Sequence, residues 1–244
     1  MSYDRALTVF SPDGHLFQVD YAIKAVERGS AVVAVTGADF IVVGIEKREA
    51  NFLQRGESAK KLEKVGGGLW IGFSGLGADA RTLIDRARVE SQSYRLRYDE
   101  GIGIEALARY VAGVQQKYTM KGGVRPFGVG VFVAGFDASG KPRLFFSEPS
   151  GVHLEWAANA IGQNSKEIRR LLEKNYVGGL DRHVTVRTTI RCLLEAVQAS
   201  AGNMEVCVLG KDGMAVVEKT EIERYICEIE ASRLEEQREE MDLS

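Results

Sequence analysis

The stretch GFSGLGADAR, from Gly72 to Arg81, holds the residues whose types and spacing come nearest to doing chemistry. Gly75, Gly77 and Ala80 fit the GxGxxA form of a dinucleotide fingerprint, in which glycines let the backbone approach a pyrophosphate at a helix N-terminus. That use needs the helix to lead into a parallel strand ending in an acidic residue, and here a second helical pattern follows. The nucleophile elbow GxSxG needs a glycine two residues after Ser74, where Leu76 stands. What remains is a tight strand-to-helix turn whose small residues let backbones approach.

Other candidates are weaker still. Lys60 and Lys61 read as a solvated face. His15, His153 and His183 show no HxH or HxxxH spacing, so no metal face is expected. A Ser-His-Asp constellation stays open, because triad members can lie anywhere along a chain. Cys192, Cys207 and Cys227 are odd in number, widely spaced and without a CxxC pair. They predict neither a disulfide framework nor a zinc site, point to a reducing compartment and read as small core residues. From the residues alone no active site assembles, and no cofactor is implied.

The elements that would position these residues are easier to read. The chain has 244 residues, 45% hydrophobic and 27% charged, with a formal net charge of −2. That suits one soluble domain with a core able to fold without staples. No apolar run is long enough to span a membrane and no signal-peptide pattern opens the chain. Near-neutral charge argues against nucleic acid as a partner. From Glu218 onward ten acids face four bases, which predicts a helix running into a solvated acidic tail.

Ser11-Pro12-Asp13-Gly14 suits a type I turn, and Val19, Ala22, Ile23 and Val26 then mark an apolar helix face ending before Gly29. Strands follow from Ser30 and Phe40, with Gly37-Ala38-Asp39 between them, and another from Leu69. Two helices cover about 78–98 and the stripe from Ile104 to Tyr118. Strands return over Arg125–Asp137 and from Arg143, and a second helix pair lies near 165–176, capped by Ser165, and near 186–201. A hairpin turns at Lys211-Asp212, and Thr220 with Glu223 predicts a capping box for the last helix. Helices that come in consecutive pairs favour antiparallel sheets with helix layers outside, over a doubly wound parallel sheet.

The first thirty residues are more specific. Tyr3-Asp4-Arg5, then Phe10-Ser11-Pro12-Asp13-Gly14, then Leu16-Phe17-Gln18-Val19 with Tyr21-Ala22 resemble the signature that opens proteasome alpha subunits. Asp20 departs from it, glutamate being usual there. AKKL, GFSGLGADAR, RPFGVGVFVAGFD, EPSG (aspartate is usual at Glu148) and AIG agree in order, so the resemblance spans essentially the whole chain.

The resemblance implies an α+β fold, a four-layer αββα sandwich of antiparallel sheets of the N-terminal-nucleophile hydrolase kind, with an N-terminal alpha-subunit extension. It implies a single domain over 1–244: gating tail and helix over 1–29, sandwich over 30–217, C-terminal helix and acidic tail over 218–244. Catalytic relatives use an N-terminal threonine whose free amine can act as base. Ser30, at the matching strand, follows Gly29 and has no free amine, so a non-catalytic subunit is expected. Glu46 and Lys61 fall near positions that active relatives use, and no base for a serine is evident.

The expected role is therefore architectural: a heptameric outer ring with other alpha subunits, stacked on beta-ring subunits, serving ATP- and ubiquitin-dependent protein degradation in cytoplasm and nucleus. Tyr3, Asp4, Pro12 and Tyr21 would form the cluster that holds the tail off the axial pore. Lys61, Gly75 and Leu76 would line a pocket that docks regulatory particles by a C-terminal carboxylate. Two rival classes stay in view. One is an active hydrolase, which would require processing before Ser30; the other is a nucleotide-dependent enzyme using Gly75-Leu76-Gly77.

Overall fold

Runs of valine and isoleucine in this chain are buried on both faces, and that determines the layering. The computed structural model describes residues 9–47, 60–197 and 200–242. One sheet is built from β1 (Val32–Thr36), β2 (Ile41–Glu46), β8 (Ala158–Ile161), β9 (Met204–Gly210) and β10 (Gly213–Val216), in the order β10-β9-β2-β1-β8. The other holds β3 (Leu62–Gly66), β4 (Leu69–Gly75), β5 (Val129–Phe136), β6 (Pro142–Ser147) and β7 (His153–Glu155), in chain order. Every pairing is antiparallel.

Alternation along each strand feeds two cores at once. In β1, Val32 and Ala34 face the other sheet, where they join Phe132 and Leu144 in a core that Ile161 of the neighbouring β8 shares. Val33 and Val35 face outward, onto α4 (Ser165–Asn175), α5 (Arg182–Val197) and α6 (Lys219–Asp242) through Ile168, Ile190, Leu193 and Ile222. The second sheet turns Ile71, Phe73, Val131 and Val133 outward onto α2 (Gly77–Tyr98) and α3 (Ile104–Met120). The result is the expected four-layer αββα sandwich. A half-solvated sheet would show polar residues on its outer face; here helices cover it.

Several local expectations are corrected. The segment around Lys60 and Lys61 leads into β3, which its sequence hides because only Leu62 and Val65 are buried and the pairing with β4 is shifted between Lys64 and Gly66. Ser165 is the first residue of α4, not its cap; Asn164, at φ 55°, accepts the first helical bond from the Ile168 N–H. Thr220 and Glu223 form no capping box, since α6 has already begun at Lys219 with the Glu218 carbonyl accepting from Ile222. The acidic end is helical as far as Asp242. Cys192 and Cys207 are core residues whose thiols burial pushes up to about 12, but Cys227 is exposed.

Ahead of the sandwich, the Gly14 N–H donates to the Ser11 carbonyl, closing the expected turn, and α1 (Phe17–Glu27) follows. Its buried Val19, Ala22 and Val26 lie against the β4–β5 end of the second sheet, where Gly130 leaves room for Val26. The chain then passes through Gly29 and Ser30 into β1 with no space to spare. Gly162 sits at φ +90°, and a Cβ there would collide with the Ser30 carbonyl oxygen and lie 2.6 Å from Ser74 Oγ. Gly162→Ala is expected to lower unfolding stability by about 2–5 kcal/mol, combining backbone strain with overpacking. Gly67→Ala, where φ is +56° but the space is open, is expected to cost only about 1 kcal/mol. Denaturant unfolding of the two variants measures the difference.

Candidate functional site

Around Ser30 the ends of four strands converge. Ser30 itself is only 3% exposed. Its carbonyl accepts from Ser74 Oγ of β4 at 2.8 Å, and its side-chain oxygen accepts from Lys61 Nζ, just before β3. On the next residue, the Ala31 N–H donates to Glu46 Oε2 of β2 at 2.8 Å, and the Glu46 N–H returns to the Ala31 carbonyl. On the preceding residue, the Gly29 carbonyl accepts from the Gln163 N–H beyond β8 at 2.8 Å. A Cβ on Gly29 would collide with Ser74 Oγ and the Gly75 nitrogen.

This arrangement revises one expectation. Ser30 does have a basic side chain on its hydroxyl, which sequence reasoning did not supply. The Lys61 Nζ donates to that oxygen, a hydrogen bond that holds the hydroxyl in place. The Ser30 nitrogen is tied up in a peptide whose other half is clamped by Gln163, so the chemistry of a free terminal amine is absent. The histidines are dispersed to the turn before α1, to β7 and to α5, and His15 and His183 pair with Asp20 and Glu228. Among the described residues no group of three or more His, Cys, Asp or Glu could hold a metal.

Lys61, Gly75 and Leu76 come to the same end of the sandwich. Gly75 adopts φ +113°, and a Cβ there would strike the Gly128 carbonyl oxygen, so only glycine fits. The Leu76 N–H donates to that same oxygen at 2.9 Å, while its side chain stays 47% exposed beside Gly128. The tight-turn reading of GFSGLGADAR therefore holds: β4 is antiparallel to its neighbours and α2 runs into α3, leaving no dinucleotide unit. Pro12 and Tyr21 are exposed on the turn and first half of α1, Tyr21 with the Lys24 ammonium 5.5 Å from its ring centre. Tyr3 and Asp4 lie outside the described residues.

An ion pair that sequence reasoning missed locks the Gly75–Leu76 turn. Asp79, buried in the first turn of α2, accepts from Arg125 Nη1 at 2.6 Å and Nη2 at 2.9 Å, and from the Gly128 N–H at 2.9 Å. Arg125 and Asp79 are 46 residues apart, so no local pattern could join them. The Arg125 hydrogen bonds, helped by Gly128, hold the Asp79 carboxyl below its ordinary 3.8 against the opposing effect of burial.

Two family models match the chain. One, for the proteasome subunit, covers residues 26–209, and the other, for the N-terminal signature of the A-type proteasome subunit, covers residues 3–25. Among similar proteins, the proteasome alpha type-7-B subunit of Oryza sativa subsp. indica is 48% identical over 233 residues, covering 95% of this chain and 93% of the relative. The proteasome alpha type-7 subunit of Trypanosoma brucei brucei is 44% identical over 236 residues, covering 97% and 96%. The proteasome alpha type-4 subunit of Saccharomyces cerevisiae is 46% identical over 241 residues, covering 95% and 93%. The opening has its particular likeness to alpha type-7 subunits; since the yeast relative bears another type number, the alpha class is what these proteins share.

Asp79→Asn is expected to cost about 1–2 kcal/mol at neutral pH, the exposed Arg125 end of the pair being screened. Because the folded carboxyl titrates below its unfolded value, this stabilisation is complete above about 3.8 and disappears as pH falls through the folded value. Urea unfolding of both proteins should therefore show a gap at neutral pH that narrows below pH 3.8.

Proposed function

The chain belongs to the proteasome subunit family as an alpha-type member, and from that premise we propose that it works at the end of the sandwich carrying α1, by gating substrate entry and docking regulators. It is a non-catalytic subunit of the 20S core, placed among the other proteasome subunits in the outer ring. The observation that carries the reading is the extension itself: α1 packs against the β4–β5 end of the second sheet and leads through Gly29, wedged against Ser74 and Gly75, into Ser30, the residue at which an active relative would present its nucleophile. A ring of such subunits closes by head-to-tail, heterologous contacts.

The gate is assigned to Tyr3, Asp4, Pro12 and Tyr21. A tyrosine hydroxyl and a carboxylate give a charge-assisted bond, and Pro12 stiffens the turn beneath. Support comes from the exposure of Pro12 and Tyr21 on the folded extension, where a tail and a neighbour can both reach them. The docking pocket is assigned to Lys61, Gly75 and Leu76, for regulatory particles that offer a C-terminal carboxylate. The favourable features are a partly exposed lysine, a glycine turn that keeps side chains out and an exposed leucine as an apolar contact. Three free cysteines suit the reducing cytoplasm and nucleus, where we place the particle.

Deleting residues up to Phe10 is expected to raise hydrolysis of small fluorogenic peptides by the assembled particle; unchanged turnover would mean that other tails close the pore. Lys61→Ala is expected to weaken occupancy of this pocket by a carboxylate-ended peptide about tenfold or more, with native mass spectrometry showing the ring intact. Full occupancy would remove Lys61 from the site.

A further inference from the structure

On one flank of the sandwich both sheets end and a groove is left open. β7 and β8 are the last strands of their sheets, and Trp156 stands in the short link between them. Beside them lies a cavity of about 200 Å³, walled by Ile23 and Glu27 of α1, Phe146 of β6, Leu154 of β7, Trp156, and Arg169 of α4. Leu154, opposite Phe146 in the β6–β7 ladder, is 56% exposed, and Val152 beside it is 51% exposed. A second recess, of about 220 Å³, shares Trp156 and Arg169 and reaches Tyr176.

Arg169 is the charge in this groove that lacks a counterion. Half-buried, it donates from Nε and Nη2 to the Ala160 carbonyl at 3.2 and 3.0 Å. Among the described residues no carboxylate pairs with it: Glu27 stands 3.7 Å from Lys166, and Glu148 accepts from Ser150 Oγ. Burial disfavours the guanidinium charge, and Glu148 and Glu27 oppose that only in part, from a distance.

We infer that this groove is a lateral contact of the ring: it receives an apolar segment of the adjacent alpha subunit carrying an acidic side chain, which pairs with Arg169. The inference rests on the chain's place in the outer ring and adds which face is used and what chemistry meets it. Head-to-tail closure requires each subunit to offer two unlike faces, and edge strands are what a sandwich must cover. The charge selects the occupant. A guanidinium has five donors, and the Ala160 carbonyl takes two of Arg169's. An incoming carboxylate gives it a charge-assisted bond at a site whose desolvation is already largely complete. The exposed Leu154 and Val152 supply the apolar contact that keeps water from the pair. Because α1 forms one wall, a neighbour seated here also braces the helix that leads into Ser30.

The test uses the assembled core particle with photoreactive benzoylphenylalanine replacing the exposed Leu154, and mass spectrometry to identify what it captures. The expected product is a link to one adjacent alpha subunit, at a segment containing Asp or Glu. Capture of a beta subunit, a regulatory particle or a small molecule, or no capture at all, would overturn the inference. A charge swap then tests the pair itself. Arg169→Glu is expected to lower incorporation of the chain into particles about 3–10-fold in competition with the unmodified chain. Changing the captured acid of the neighbour to Arg is expected to restore it. Such rescue separates pairing from misfolding, because a chain that fails to fold is not recovered by a change in its neighbour. Loss without rescue, or full incorporation of Arg169→Glu, would overturn the pairing. If native mass spectrometry finds the unmodified chain in no alpha ring, the ring placement falls instead.

Discussion

Between the last turn of α1 and the first residue of β1 the chain must pass through a gap in which backbone meets backbone. Gly29 lies against Ser74 and Gly75, and Gly162 lies against the Ser30 carbonyl, each so close that a methyl group would not fit. Hydrogen bonds from Ser74 and Gln163, with the Ala31 N–H donating to the Glu46 carboxylate and the Glu46 N–H to the Ala31 carbonyl, tie the backbone down there. This crossing joins the extension to the sandwich and one sheet to the other. It also decides the chemistry, because a serine whose nitrogen is in a clamped peptide is no terminal nucleophile.

The rest of the end face is arranged around that crossing. Lys61 reaches it from the β3 side, and Gly75 from β4. The position of Leu76 is then set by the Gly128 carbonyl and by the Asp79–Arg125 pair. Polar groups are abundant here, yet they are almost all spent on one another. Burial without a partner costs more than a hydrogen bond gains, so a satisfied network of this kind holds its geometry. The docking surface proposed here would benefit from that rigidity, since less ordering remains to be done on binding.

Much of the architecture was legible in the residues. The two-faced valine and isoleucine runs, the paired helices and the turn-helix opening each depend on periodicity within a window of about ten to twenty residues. The failures are equally physical. β3 is an edge strand with two buried side chains, too short a pattern to stand out, and the lysine that bonds Ser30 stands just ahead of it. Ser165, Thr220 and Glu223 are residues favoured at helix starts that ended up just inside one, because packing set where the helices began.

By itself the sequence determined the elements, their antiparallel layering and, through the signature in its first thirty residues, the alpha-type character of the chain. One part of the Ser30 site was also implicit: a tight hairpin after β1 sets the end of β2, with Glu46, opposite the start of β1. Only the tertiary structure decided that Lys61 and Ser74, 31 and 44 residues further along, close on Ser30, and that Arg125 closes on Asp79. Those contacts join different sheets and the ends of distant elements. No local spacing encodes them; they exist because two sheets pack face to face and bring their ends to one place.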